Sequence, residues 1–198
     1  MEAIKEAMGD PEKMKKLAFR YMHTEGFKIW AAFFLTVVVV FCLFSSGDFS
    51  FLLTLSSLVS VFSFLMVALK IETGRTVKGV SLKMMECYVV IFFGRLCAIV
   101  PFEGYLPFDK SGDWFYQLCE AIGFCLACGI VYFCRIRHES TYDPSTDTLN
   151  NLFLMGPAFA VALIFHPNLN NNLPSDIAWA FALYLESVAV LCQLFMFM

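Results

Sequence analysis

The sequence predicts an all-α membrane protein with six transmembrane helices. Three observations lead there. Of 198 residues, 59% are hydrophobic, 23 are Phe, and the mean hydropathy is +0.69, which is more apolar surface than an ordinary soluble domain carries. The apolar residues gather into six runs of roughly bilayer-spanning length. Lys and Arg concentrate in alternate connections between those runs. The net charge of −3 says little about partners, because its distribution across a membrane matters more than its sum, and nothing in the sequence suggests nucleic-acid binding.

Residues 1–27 are polar and mixed in charge. EAIKEAMGDPEKMKKLAFRYM reads as one or two short amphipathic helices, with Pro11 starting the second, in a cytosolic surface arm. The arm lacks the short positive region and small-residue cleavage site of a secretory signal, so no processing is expected after the first apolar run. That run, Ile29 to Phe44, is flanked by Lys28 and Trp30 as interfacial anchors and predicts a membrane helix within residues 28–45. SSGDFS makes a tight turn, and Phe51 to Leu69 forms the second span, ending at Lys70. After the polar stretch KIETGRTVKGVSLK, Met84 to Val100 is the third span and contains Arg95. Trp114 to Cys134 is the fourth and contains Glu120. Leu152 to Phe165 is the fifth, where Pro157 is expected to kink the helix by removing a backbone donor. After HPNLNNNLPSD, Ile177 to Met198 is the sixth.

The basic residues orient this layout. Lys5, Lys13, Lys15, Lys16, Arg20 and Lys28 lie in the arm, Lys70, Arg75, Lys78 and Lys83 in the second loop, and Arg135 and Arg137 in the fourth. Every other Lys or Arg is Lys110 or Arg95. Those three segments lie on one face of the membrane, so the positive-inside rule puts them and the amino terminus in the cytosol. The loops containing Asp48, PFEGYLPFDKSGD and HPNLNNNLPSD then face the lumen or exterior.

Charged residues inside the spans are the candidate site. Glu186 lies about 15 Å along its helix from Asp176, near the middle of the bilayer, where an acid costs about 2.5–3.5 kcal/mol and therefore faces protein, a partner or water. Arg95 and Glu120 lie at similar depth in successive helices. They form either a structural ion pair or, on the Arg95 side, a cationic site for an anion such as a carboxylate, which a guanidinium grips with two parallel hydrogen bonds. The eight cysteines sit in apolar segments as small hydrophobes, and the Cys125-x-x-Cys128 spacing has no second ligand pair, so neither metal nor cofactor is expected. No phosphate-binding glycine loop, HExxH or GxSxG is present, and no enzyme is expected.

GVSLK at Gly79 to Lys83, Arg95-Leu96, TYDPSTDT at Thr141 to Thr148 and WAFALYLESVAVLCQLFMF at Trp179 to Phe197 together resemble the KDEL receptors, the ER lumen protein-retaining receptors. The likeness is closest to the divergent receptor-like subgroup with an extra amino-terminal membrane helix. It implies a PQ-loop/SWEET-like bundle of seven helices, two three-helix repeats and a linker helix, of which this chain has five plus the extra one. Residues 51–198 would be a receptor-like domain that is incomplete at its carboxy terminus. The resemblance implies a lumenal cavity that captures carboxy-terminal KDEL- or HDEL-type peptides of ER lumenal proteins in the Golgi. It further implies a multi-pass location in ER and Golgi membranes, with the lipid bilayer and vesicle coat machinery as partners. By position, Arg95 matches the arginine that grips the ligand carboxylate, and Glu186 the fifth-helix glutamate of the cavity. Asp176 and Trp179 match the acid and tryptophan near the ligand's fourth residue from its end. The family's second-helix aspartate falls at Ala98. No Lys, Arg or His lies between Lys28 and Lys70, where a first-helix arginine and histidine are expected, and Cys192-Gln193 stands for the Pro-Gln dipeptide. Any pH dependence is therefore expected to run through Glu186, with His166 and Asp176 as the other candidates. A small-solute carrier on the same fold, or a truncated remnant that binds nothing, is the alternative reading.

Overall fold

The computed structural model describes residues 25–44, 50–106 and 113–198. Among these the chain forms six α-helices and no strand: α1 (Glu25–Phe44), α2 (Ser50–Gly74), α3 (Leu82–Ile99), α4 (Asp113–Tyr132), α5 (Leu152–Ile164) and α6 (Leu173–Met196). Short 3-10 turns occupy Glu103–Tyr105 and Glu139–Thr141, and a π turn at Phe133–Arg137 prolongs α4. The expected arm helices, up to residue 24, and the SSGDFS turn before Ser50 lie outside the described residues. Three stretches, Leu53–Gly74, Asp113–Arg137 and Leu173–Met196, are long and apolar enough to cross a membrane, whereas Gly26–Val39 and Leu152–Ile164 are apolar but shorter. α3 has 18 residues and carries Lys83, Glu86 and Arg95 among its apolar ones. The chain is an all-α membrane protein.

The chain divides into two units, Met1–Asp48 and Phe49–Met198. In the first, α1 is built from consecutive aromatic and β-branched residues, with Trp30 stacked on Phe34 at 5.8 Å and edge-on to Phe33 at 5.9 Å. Phe34, Leu35, Val38 and Val39 are exposed, as lipid-facing side chains are.

In the second unit α3 is the central helix, packed against α4 on one side and α6 on the other, while α2 packs on α4 and α5 on α6. The sequence of α3 explains this. Met85 and Phe92, two turns apart, face a core shared with Phe64 and Ile71 of α2 and Ala127 and Ile130 of α4. Cys87 and Ile91 face a second core with Ala158 of α5 and Ala182, Leu185, Ala189 and Cys192 of α6. The α3–α6 crossing is close because its residues are small: a Cβ on Gly94 would lie 3.3 Å from the Ala178 carbonyl oxygen and 3.6 Å from the Ala182 methyl.

Two boundaries differ from the sequence reading. α2 does not stop at Lys70 but runs to Gly74, because Ile71 is buried against the core and Glu72 pairs with Arg137 at 2.6 Å. It ends where Arg75 adopts φ 50°, the left-handed conformation that terminates helices. α3 begins two residues before Met84, at Leu82, because Ser81 caps it by accepting the Met84 N–H at 3.1 Å. α5 passes through Pro157 without interruption.

At the start of α3 the two short motifs of the resemblance meet. Asp147 of TYDPSTDT, buried, accepts from Ser81 Oγ at 2.8 Å, from the Lys83 N–H at 3.1 Å and from Tyr142 Oη at 2.9 Å. Gln193 of α6 accepts the Ser81 N–H at 2.9 Å and donates to the Gly79 carbonyl at 3.0 Å, acting as a peptide group toward the loop. Asp147→Ala leaves three donors without their acceptor. It is expected to cost about 2–4 kcal/mol, with Asp147→Asn milder, in the denaturation midpoint of the detergent-solubilised protein.

α4 approaches α3 at Gly123, where an added Cβ would lie 2.7 Å from Phe92 Cε1, and that ring is itself held against Phe64 at 5.6 Å. Gly123→Ala should therefore lower the thermal midpoint by about 1–3 kcal/mol of stability through overpacking. Adding Phe92→Leu should recover part of the loss.

Candidate functional site

Arg95 sits three residues after Phe92 and four after Ile91, so it projects from the seam between the α4-facing and α6-facing sides of α3. Its guanidinium is nine-tenths buried and shared between two carboxylates. Nη1 lies 3.5 Å from Glu120 Oε1 on α4, and Nη2 forms a close ion pair with Glu186 Oε2 on α6. Glu120 is fully buried, and its Oε1 also accepts a 2.5 Å hydrogen bond from Ser57 Oγ on α2. Glu186 differs in access, with 31% of its side chain exposed. Two polar atoms of this cluster, Arg95 Nε and Glu120 Oε2, are buried with no hydrogen-bond partner. One guanidinium thus faces two acids inside an apolar bundle, and it still has a donor to give.

A second cluster stands where α3 ends and α6 begins. Asn172 caps α6, its Oδ1 3.3 Å from the Ser175 N–H, and Pro174 fits the first turn, where no intrahelical N–H is needed. This aims Asp176 at the loop after α3. Tyr105 Oη donates a short hydrogen bond to Asp176 Oδ1, which also accepts the Leu169 N–H at 3.3 Å. The Trp179 ring, one turn on, lies 5.3 Å from the Tyr105 ring. Ala98, Ile99 and Tyr116 complete the apolar floor, and Gln117 of α4 donates to the Ile99 carbonyl at 3.1 Å. Beside Asp176 opens a cavity of 240 Å³ lined by His166, Asn168, Asn171 and Leu173. Residue 104 is glycine where a Cβ would lie 2.5 Å from Asn170 Oδ1, so a larger residue there would displace the Asn170 side chain.

The sequence-predicted residues therefore fall into two groups. Arg95, Glu186 and Glu120 come together in one network, in which Arg95 pairs with Glu120 and also with Glu186. Asp176 and Trp179 gather around Tyr105 instead. Sequence reasoning missed Ser57 and Tyr105. A serine in an apolar span carries no distinctive pattern, and Tyr105 lies in a loop that only the fold brings over α6. Gln193 was signalled by its place in the long terminal motif. Among the described residues no group of three or more His, Cys, Asp or Glu is positioned to hold a metal ion.

Chemically, the first cluster suits an anionic carboxylate, which a guanidinium binds with paired charge-assisted bonds. The second, an acid under an aromatic ring at a polar cavity, suits a cationic or hydrogen-bond-donating group.

Comparison with known proteins places this geometry in context. Residues 76–198 match the family described as ER lumen protein retaining receptor. The chain is 30% identical over 145 residues to the ER lumen protein-retaining receptor of Caenorhabditis briggsae, covering 71% of this chain and 61% of that protein. It is 33% identical over 135 residues to ER lumen protein-retaining receptor B of Arabidopsis thaliana and 32% over 133 residues to receptor 2 of Danio rerio; each match covers 67% of this chain and 57% of the relative. The chain thus spans about six-tenths of the length of these relatives.

Burial and the bond to Asp176 push the Tyr105 hydroxyl up to about 12. A phenol whose ionisation is raised on folding stabilises below its unfolded value of about 10 and loses that contribution as pH rises through the folded value. Alkaline absorbance titration of the parent minus Tyr105→Phe should show one phenol ionising near pH 12. Tyr105→Phe should abolish that step and weaken the docking of the loop over α6.

Proposed function

Because this chain belongs to the ER lumen protein retaining receptor family, we propose that it binds KDEL- or HDEL-type carboxy termini of ER lumenal proteins and returns them from the Golgi to the ER. The observation that carries this reading is the pair of clusters at two depths of one bundle: a guanidinium within reach of carboxylates, and an acid under Trp179 near the end. Their separation suits the ligand. Ten residues of α6 between Asp176 and Glu186 rise about 15 Å, and four extended residues span about 13–14 Å. The peptide would enter at the rim by His166 and Asp176. Its fourth residue from the end would lie by Asp176 and Trp179, and its terminal carboxylate would reach Arg95 beside Glu186.

The proposal extends to orientation. With the basic segments in the cytosol, the Asp176 end faces the lumen, the amino terminus is cytosolic, and the loops around Lys78, Lys83 and Arg137 are available to vesicle coat machinery. The site is one of recognition, with no catalytic step.

Calorimetric titration of the full chain in nanodiscs with a KDEL-type tetrapeptide and its carboxy-terminal amide tests the reading. The free acid should bind, with amidation and Arg95→Ala each weakening it about tenfold to a hundredfold, the worth of a charge-assisted pair. Arg95→Lys should recover only part, because an ammonium lacks the fork. Equal binding of acid and amide would remove Arg95 from the role.

A further inference from the structure

The geometry points to Glu186 as a built-in stand-in for the ligand's carboxylate: it occupies Arg95 in the ligand-free protein, and capture proceeds by exchange, Glu186 leaving while Glu120 stays. This rests on the reading of Arg95 as the carboxylate grip and adds how that grip is regulated.

The two acids on Arg95 are unequal. Glu120 is fully buried, and its bonded oxygen is fixed from a second direction by Ser57 at 2.5 Å. Moving it would strand a charge in the apolar core between α2, α3 and α4. Glu186 has 31% of its side chain exposed and is not enclosed by that core, so it can swing out of the pair without that cost. An incoming carboxylate therefore has one acid it can displace.

The guanidinium also rewards the exchange. Nε–H and Nη2 lie on one edge of its plane, a fork that a carboxylate fills with two parallel bonds. Glu186 uses only Nη2 of this edge, and Nε is buried without a partner. A ligand carboxylate that bridges Nε and Nη2 satisfies the donor that Glu186 leaves unmet. The stand-in is an incomplete copy of the ligand, good enough to neutralise Arg95 in an empty site and poor enough to be replaced. Exchange also breaks the Arg95–Glu186 tie between α3 and α6, which approach closely at Gly94, Ala178 and Ala182.

The test titrates the tetrapeptide free acid and its amide into the parent, Glu186→Gln and Glu120→Gln in nanodiscs. Removing the stand-in should tighten binding of the free acid about tenfold and leave the amide unchanged. Removing Glu120 should not tighten it, since that acid is retained in the complex. Glu186→Asp keeps the charge with a shorter reach and should give a smaller tightening, which preserves the test if Glu186→Gln does not fold. Free-acid binding that is unchanged or weaker in both Glu186 variants, with the parent still binding, overturns the exchange and leaves the receptor reading standing. Absence of binding by the parent removes the receptor reading and the exchange with it.

Discussion

A guanidinium in the middle of an apolar helical bundle must be neutralised, and the arrangement of α2, α3, α4 and α6 answers that requirement. Arg95 draws Glu120 from α4 and Glu186 from α6, and Glu120 in turn draws Ser57 from α2. Replacing such a buried network with apolar side chains of similar volume would commonly be neutral or stabilising. Its presence is thus poorly explained by stability and well explained by a need for a cation at this depth. The orphaned Arg95 Nε and Glu120 Oε2 fit the same view, because a network built only to hold helices together would use them.

The two ends of α3 are fixed in different ways. At its start, Ser81, Asp147, Tyr142 and Gln193 form a junction in which the loop amide and carbonyl are met by Gln193. There α6 is hydrogen-bonded to the loop preceding α3. Past its end the contacts are an aromatic pair, Tyr105 and Trp179, and a loop draped over Asp176 beside an open cavity. The hydrogen-bonded junction thus lies at the start of α3, and the cavity opens beyond its other end. A close α3–α6 contact, at Gly94, sits just before the charge cluster.

Much of this was legible in the sequence because membrane proteins obey few and strict rules. Apolar runs of spanning length gave the helices, and the rarity of charge in those runs singled out Arg95 and Glu120 as a pair and Glu186 as a separate acid, without showing that Arg95 joins them. The boundary of α2 was misjudged because Lys70 and Glu72 read as loop, whereas Ile71 is buried and Glu72 has a partner in Arg137, which lies 65 residues away. Tyr105 and Ser57 were illegible for a related reason. Their roles depend on which helix lies opposite, and polarity along the chain does not encode that. The split of the predicted site into two clusters was likewise invisible, since ten residues of α6 separate Asp176 from Glu186 with no marker of what each faces.

Ala98 shows how the charge balance of the cavity is kept. The family resemblance calls for an aspartate at this position of α3, and the structure has a fully buried methyl packed with Ile99, Tyr105 and Tyr116. An acid there would stand one turn from Arg95 on the same helix. Here the acid opposing Arg95 from the core side is Glu120, carried by α4 and fixed by Ser57. With a counter-charge on each neighbouring helix, the pairing of Arg95 ties α3 to α4 as well as to α6. The α3–α4 tie ends on a fully buried Glu120, and the α3–α6 tie on a Glu186 whose side chain is 31% exposed. In the proposed exchange, the pairing that opens is therefore the one to α6, while the α3–α4 pairing stays closed.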